Sequence, residues 1–334
     1  MVISRTPFRI SFFGGGTDYP VWYKENGGAV LATTINKYCY INCRYLPPFF
    51  EHKSRISYSE VELINEISEI HHPSVRECLR FMKVKNGIEI HHDGDLPART
   101  GMGSSSTFTV GLLHALYALK GIMPTKRQLA LDAIHVEQEL INENVGSQDQ
   151  AQAAFGGFNL IEFGGKEHIK VSPLTVDVSR LNCLHEHLML FFTGFSRTAS
   201  KIAAEQIKET PNKKTELTTL SELVKEALKI LNSKSRLTDF GKLLHESWKI
   251  KRNLSKKITT PKIDEIYDSA INAGALGGKL LGAGGGGFIL IFAEPNVQPR
   301  IREKLSKLLY VPFSFESLGS QIIFYSPGDS LLRS

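Results

Sequence analysis

Residues 97–107 read PARTGMGSSST. Two glycines one residue apart run into three serines, and from Ser104 to Lys120 apolar residues recur at helical spacing. A flexible linker and an anion cradle both have this composition, so the surroundings decide. Gly101 and Gly103 permit backbone angles closed to other residues. Ser104, Ser105 and Ser106 stand where a helix cap falls, and the free N–H groups of a first helical turn point at whatever lies in front. The positive end of the helix favours phosphate, and a serine hydroxyl there reaches a magnesium ion. An ordinary capped start asks for one serine and one glycine, fewer than stand here. The stretch is not a Walker loop, because no G-x-x-x-x-G-K-[ST] occurs: Gly278–Lys279 is followed by Leu280.

Two carboxylates lie downstream. A second helix is expected from Thr125, with Gln128 three residues on, to about Asn144. On a wheel of about 100° per residue, Leu129, Ala130, Ala133, Ile134, Val136, Leu140 and Ile141 share one arc. Glu137 falls in the middle of that arc, where an acid is costly unless paired or bound to a metal. Glu139 falls on the polar face and reads as a solvated charge. Asp149, in NVGSQDQAQ, follows a helix end; a cap and a base held by scaffold on both sides are both open.

Two further glycine stretches need reading. FFGGGTDYP, from Phe12, lacks the third glycine of a dinucleotide fingerprint, since Tyr19 and Pro20 stand there. It offers Asp18 on a loop after a tight turn. GAGGGG, Gly282 to Gly287, matches G-x-G-x-x-G but feeds the strand FILIF and no helix, which excludes the Rossmann reading. Close packing beside an active site is the favoured alternative.

The 334 residues suffice for two domains, with a boundary near residues 170–185. Strands fill much of the first part, with helix expected over about 59–84. Helices dominate after the buried strand in HLMLFFTG, over about 197–209, 214–232, 236–256 and 262–273. Strands and helices mix without regular βαβ alternation, so the fold class is α+β. No apolar run approaches the ~20 residues of a spanning helix, and no signal core opens the chain, so a cytoplasmic protein with no membrane role is expected. The formal charge of +6 suits anionic small molecules, and the basic residues are too scattered for nucleic acid. Cys39, Cys43, Cys78 and Cys183 have no zinc-like spacing and read as buried free thiols.

Taken together, TPFRISFFGGGTDYP, LPARTGMGSSST and KLLGAGGGGF resemble, in order, the three motifs of the GHMP kinase superfamily, the second being its P-x-x-x-G-x-G-S-S phosphate loop. The matches spread from residue 6 to residue 288. The resemblance implies a ribosomal protein S5 domain 2-like N-terminal domain (1–175) and a ferredoxin-like C-terminal domain (176–334). It implies ATP, Mg²⁺ and phosphoryl transfer to a small-molecule hydroxyl. Pro97, Gly101, Met102, Gly103, Ser104, Ser105 and Ser106 would hold ATP. Ser104 or Ser105, with Glu137, would hold the metal. Asp149 would be the base and Arg9 the cation at the transferring group. Gly15, Gly16, Thr17, Asp18, Gly284 and Gly285 would meet the sugar. Within the superfamily, FRISFFGGGTDYP and ENVGSQDQ are most similar to D-glycero-D-manno-heptose 7-phosphate 1-kinases. Galactokinases place an acid and a histidine where Gly15 and Gly16 stand, which argues against galactose. Fucokinase-like enzymes are the alternative, and a non-catalytic sugar sensor is a third reading disfavoured by the presence of every motif residue. A heptose 7-phosphate needs a cationic pocket, for which Arg197, in TGFSRTAS, and Lys279 are the candidates.

Overall fold

The computed structural model describes residues 1–165, 169–194 and 199–326, without the side chains of residues 199 and 200. The chain order is β1 (Val2–Phe13), α1 (Pro20–Asn26), β2 (Gly28–Tyr45), β3 (Ser54–Ser57), β4 (Val61–Ile64), α2 (Pro73–Phe81), β5 (Ile88–Gly94), α3 (Ser104–Leu119), α4 (Lys126–His135), α5 (Gln148–Phe155), β6 (Phe158–Phe163) and β7 (Ile169–Pro173). The second half adds α6 (Val178–Glu186), β8 (Leu188–Phe192), α7 (Ala199–Glu209), α8 (Lys214–Asn232), α9 (Thr238–Lys251), α10 (Pro261–Asn272), β9 (Gly277–Leu280), β10 (Phe288–Phe292), α11 (Gln298–Lys304), β11 (Leu309–Tyr310), β12 (Phe315–Glu316) and β13 (Gln321–Tyr325).

Two sheets carry the fold. The first has nine strands along the path β13-β1-β2-β5-β3-β4, with β6 and β12 also on β2 and β7 on β6. β2 serves so many partners because it is a single 18-residue strand. Its first half pairs β6 and its second half β5. Register shifts against β1 at Pro7/Arg9 and Ser11/Phe13 bend the pair where β1 approaches the phosphate loop. The second sheet is antiparallel, in the order β11-β8-β10-β9. β12 and β13 lie far past residue 175, yet they pair with β2 and β1 of the first sheet. The α+β class and the two-domain arrangement expected from the sequence are present.

α3 packs across β1 and β2, which explains its nearly all-round burial. The helix expected over 59–84 forms only from Pro73: residues 54–64 make the β3–β4 hairpin instead, and His72 caps α2 by accepting the Val75 N–H. Val61 and Leu63, two residues apart at strand spacing, lie on the exposed face of that edge. Cys39, Cys43 and Cys78 are buried free thiols, and Cys183 is half-buried and free.

Candidate active site

The phosphate loop is built from the helix inward. α3 starts at Ser104 behind Gly103, whose φ of 76° is left-handed. No side chain caps the helix, so the expected serine cap does not form. Ser104 Oγ instead accepts the Arg99 N–H at 3.0 Å, Ser105 is exposed, and Ser106 turns inward. The result favours an anion, because no cap competes for the open N–H groups of the first turn. Thr100 closes the loop by donating to Pro97 O at 2.7 Å.

The second glycine run lies against this loop, backbone to backbone. A Cβ on Gly101 would lie 2.3 Å from Leu281 O, one on Gly282 2.4 Å from Gly101 Cα, and one on Gly287 2.0 Å from Thr100 O. Phe288 N–H donates to Thr100 O at 3.2 Å. Only glycine fits such contacts. The close approach suggested by the sequence is therefore present. Gly284 and Gly285 face the loop after α9: Gly285 N–H donates to Ile258 O at 2.9 Å, and a Cβ on Gly284 would lie 2.6 Å from Ile258 Cα.

Beneath the loop, Arg9 of β1 grips Asp149, the second residue of α5. Nε donates to Oδ1 at 2.7 Å and Nη2 to Oδ2 at 2.8 Å, while Nη1 donates to Gly101 O at 2.7 Å. Arg9 N–H donates to the O of buried Met102 at 3.3 Å. Asp149 Oδ2 lies 3.3 Å from where a Cβ on Gly103 would stand. Carboxylate, guanidinium and phosphate loop thus meet at one place, and the N-terminus of α5 favours the anion.

Glu137 is 1 % exposed, as the wheel implied. It lies in a π turn, Val136–Leu140, that widens the end of α4 and ends it earlier than expected. Ser106 and Thr109, one turn apart on α3, donate to its two oxygens at 2.7 and 2.8 Å, and Gln150 Nε2 donates as well. Burial pushes its pKa up to about 7; the three donors pull it down and the Asp149 charge adds to the rise. The serine it touches is Ser106, while Ser104 and Ser105 stand at the mouth of the loop. These oxygens suit magnesium: a hard carboxylate and hydroxyls beside the phosphate loop, with the buried Gln150 Oε1 lacking a partner.

On the opposite side, Asp18 Oδ1 accepts the Gly16 N–H at 3.0 Å, and Gly146 crosses so closely that a Cβ there would lie 1.9 Å from Oδ2. Burial, then the Asp149 charge, raise the pKa of Asp18 against the pull of Gly16, its own backbone and Gln148. The Thr17 hydroxyl is knitted into the turn, 2.8 Å from Gly14 O and 3.1 Å from Ala29 O. Lys279 is buried with Nζ on Phe12 O at 2.8 Å. Arg197 lies outside the described residues.

Sequence reasoning missed Lys251. It ends α9 with 6 % exposure, and its Nζ donates to Gly282 O at 2.7 Å. Leu244, Trp248 and Lys251 fall at i, i+4 and i+7 on the buried stripe of α9. The wheel that singled out Glu137 would have singled out this lysine.

An open helix start over a clamped carboxylate, locked against a second glycine turn, defines a phosphotransferase of the GHMP type. The model for the GHMP kinases N terminal domain matches residues 71–157 and that for GHMP kinases C terminal matches 221–311, between them just over half of the chain. The chain belongs to the GHMP kinases, which use ATP as phosphate donor. It is 29 % identical, over 91 % of its length and 93 % of the relative's, to D-glycero-alpha-D-manno-heptose 7-phosphate kinase of Campylobacter jejuni. It is 27 % identical, over 92 % of its length and 36 % of the relative's, to L-fucokinase/L-fucose-1-P guanylyltransferase of Bacteroides fragilis. The crystal structure of a D-glycero-D-manno-heptose 1-phosphate kinase from Bacteroides thetaiotaomicron shares the fold, with a TM-score of 0.71, 24 % identity and coverage of 98 % of this chain and 100 % of that one.

Proposed function

We propose that the protein transfers the γ-phosphoryl group of ATP to the anomeric hydroxyl of D-glycero-D-manno-heptose 7-phosphate. The product is the 1,7-bisphosphate, a precursor of nucleotide-activated heptose for surface polysaccharide. The observation that carries a transfer reaction is the Arg9–Asp149 clamp, with Asp149 Oδ2 directly beneath Gly103. The similarity to the Campylobacter relative along almost the whole chain supports the sugar.

The residues perform the reaction as follows. The first turn of α3 and the backbone from Gly101 to Ser105 hold the phosphates. Asp149 accepts a hydrogen bond from the acceptor hydroxyl through a lone pair that Arg9 leaves free. The hydroxyl oxygen bonds to the γ-phosphorus, the bond to the β–γ bridging oxygen breaks, ADP leaves, and the hydroxyl proton passes to Asp149. Arg9 fixes the carboxylate and places a positive charge beside the group in transfer. Magnesium, when bound, neutralises phosphate oxygens; Glu137 and the loop serines would hold it. Asp18 is placed to bind sugar hydroxyls beside the Gly14–Gly16 turn. A soluble, cytoplasmic setting fits these substrates.

The test offers purified protein, ATP and Mg²⁺ with heptose 7-phosphate, fucose or galactose while ADP release is followed. Turnover on heptose 7-phosphate supports the proposal. Turnover on fucose alone replaces it with the fucokinase-like reading, and none on any sugar removes both.

A further inference from the structure

The backbone of Gly15 does not itself demand glycine, since its φ is not positive. What its lack of a side chain leaves is space. A Cβ on Gly15 would lie 3.5 Å from Lys251 Nζ, 3.8 Å from Ser11 Oγ and 3.9 Å from Gln148 Nε2, with no closer neighbour outside the turn. Three hydrogen-bond donors from β1, α5 and α9 therefore surround one small cell. One of these side chains carries a donor that wants a partner: among the described residues, Ser11 Oγ is buried without one. So is Gln206 Nε2, which faces Gly16 next door.

The charges point the same way. Arg9, Lys251 and Lys279 are buried around this turn, with buried Asp18 and partly exposed Asp149 as the acids. Arg9 is matched to Asp149, and Asp18 takes bonds from Gly16 and Gln148. Among the described residues, Lys251 and Lys279 each hold only a carbonyl, Gly282 O and Phe12 O. An ammonium has three donors, so protonated Lys251 keeps two unused. A buried cation without a counter-ion is costly unless an anion arrives from outside.

We propose that Lys251, with Ser11 and Gln148, binds the anionic end of the acceptor in the cell above Gly15. The proposal rests on the sugar-phosphate reading given above, and it assigns the phosphate of that acceptor a place. Lys279 stands behind the turn, holding Phe12 O. The cell adjoins the base, because Gln148 precedes Asp149 on α5. A neutral sugar would leave Lys251 without a counter-ion. A side chain at residue 15, such as an acid, would fill the cell or neutralise the lysine, so glycine here favours an acceptor that brings its own charge.

The experiment is calorimetric titration, without nucleotide, of wild type, Lys251→Gln and Gly15→Ala. The ligands are D-glycero-D-manno-heptose 7-phosphate and the same heptose without phosphate. Wild type is expected to bind the phosphorylated sugar more tightly. Lys251→Gln should weaken that binding by about 10- to 100-fold while changing the free heptose by less than about threefold. The Cβ of Gly15→Ala makes only ordinary contacts, so this variant should keep the wild-type Tm and lose the phosphorylated ligand by filling the cell. Equal losses for both ligands in Lys251→Gln would show that the lysine supports the backbone or the transferring group, and would overturn the proposal. Wild-type binding that ignores the phosphate, or two variants that bind as wild type does, would overturn it too. Turnover is measured separately: a protein that shows the binding preference and no kinase activity refutes the kinase reading and leaves the Lys251 site standing.

Discussion

Asp149→Asn removes one charge and almost no volume, so it separates the chemistry from the packing. Arg9 is 3 % exposed, and two of its three contacts go to the two oxygens of Asp149. An asparagine keeps one acceptor and turns an amide N–H₂ toward a guanidinium N–H. Breaking a buried pair by removing one partner costs about 3–5 kcal/mol. The retained acceptor, the bond from Nη1 to Gly101 O and the 15 % exposure of the Asp149 side chain reduce this to about 2–3 kcal/mol. Catalysis should fall much further, by about 10²–10⁴ in kcat, because no group remains to take the hydroxyl proton. The KM for ATP should stay within about threefold, since the phosphate loop is built by α3 and the 282–287 run. Thermal melting and a coupled ADP assay read both effects. The double variant Arg9→Met/Asp149→Leu should melt higher than Asp149→Asn and remain inactive, because it leaves no unpaired charge. A folded Asp149→Asn with near wild-type kcat would remove Asp149 as the base. A double variant no more stable than the single one would refute the electrostatic account of the clamp.

Three further outcomes are expected. Gly282→Ala puts a Cβ 2.4 Å from Gly101 Cα at a residue with φ of +74°, so it should lower the Tm by several degrees and raise the KM for ATP about tenfold; wild-type values for both would contradict the interlocked loops. Magnesium should raise the Tm of the wild type with a non-hydrolysable ATP analogue and should do so far less for Glu137→Gln, and an equal rise in both would take Glu137 out of the metal site. Burial, then Arg9, lower the Lys251 pKa to about 8, against Asp18 and Asp149. Burial, then Lys251 and Arg9, hold Lys279 well below the ordinary lysine value. The Lys251 ammonium is therefore populated below about 8, so heptose 7-phosphate affinity should fall as pH rises through 8 in wild type and stay flat in Lys251→Gln. The linkage to folding has the opposite sense: the folded chain sheds this proton before the unfolded one does, so the lysine penalises the fold below about 8 and the penalty fades between 8 and its ordinary value near 10.5.

Much of the site was legible because it breaks rules that short-range patterns obey. Glu137 stood in an apolar arc, and the structure buries it among Ser106, Thr109 and Gln150. The phosphate loop announced itself by an excess of serine and glycine. Its cap was misread because a serine that looks like a cap can bend back instead, as Ser104 does to the Arg99 N–H, and local sequence does not decide between the two. The π turn at Val136–Leu140 also escaped, since a wheel at 100° assumes the turn it tests. Residues 54–64 paired as a hairpin because β3 finds β5 beside it, a partner some thirty residues away. The same holds for β12 and β13, whose place depends on free edges of β2 and β1. Pairing across the chain, not propensity, made those choices.

The phosphate loop and the 282–287 run stand far apart in the sequence, and their contact gives them different tasks. The loop ending at Gly103 carries the open helix start, which suits it to the nucleotide phosphates in the proposed reaction. The 282–287 run has no helix behind it; it is the wall against which Gly101 and Thr100 rest. That wall belongs to the β9–β10 turn of the second sheet, while Arg9 and Asp149 belong to elements of the first. Gly282 contributes twice, touching Gly101 with its Cα and holding Lys251 with its carbonyl. The nucleotide loop and the cation on the acceptor side are therefore fastened to one peptide unit. If the nucleotide and the acceptor bind as proposed, a shift of that unit would move both substrates' contacts together, and coupled binding of ATP and acceptor would then follow from the backbone rather than from any single side chain.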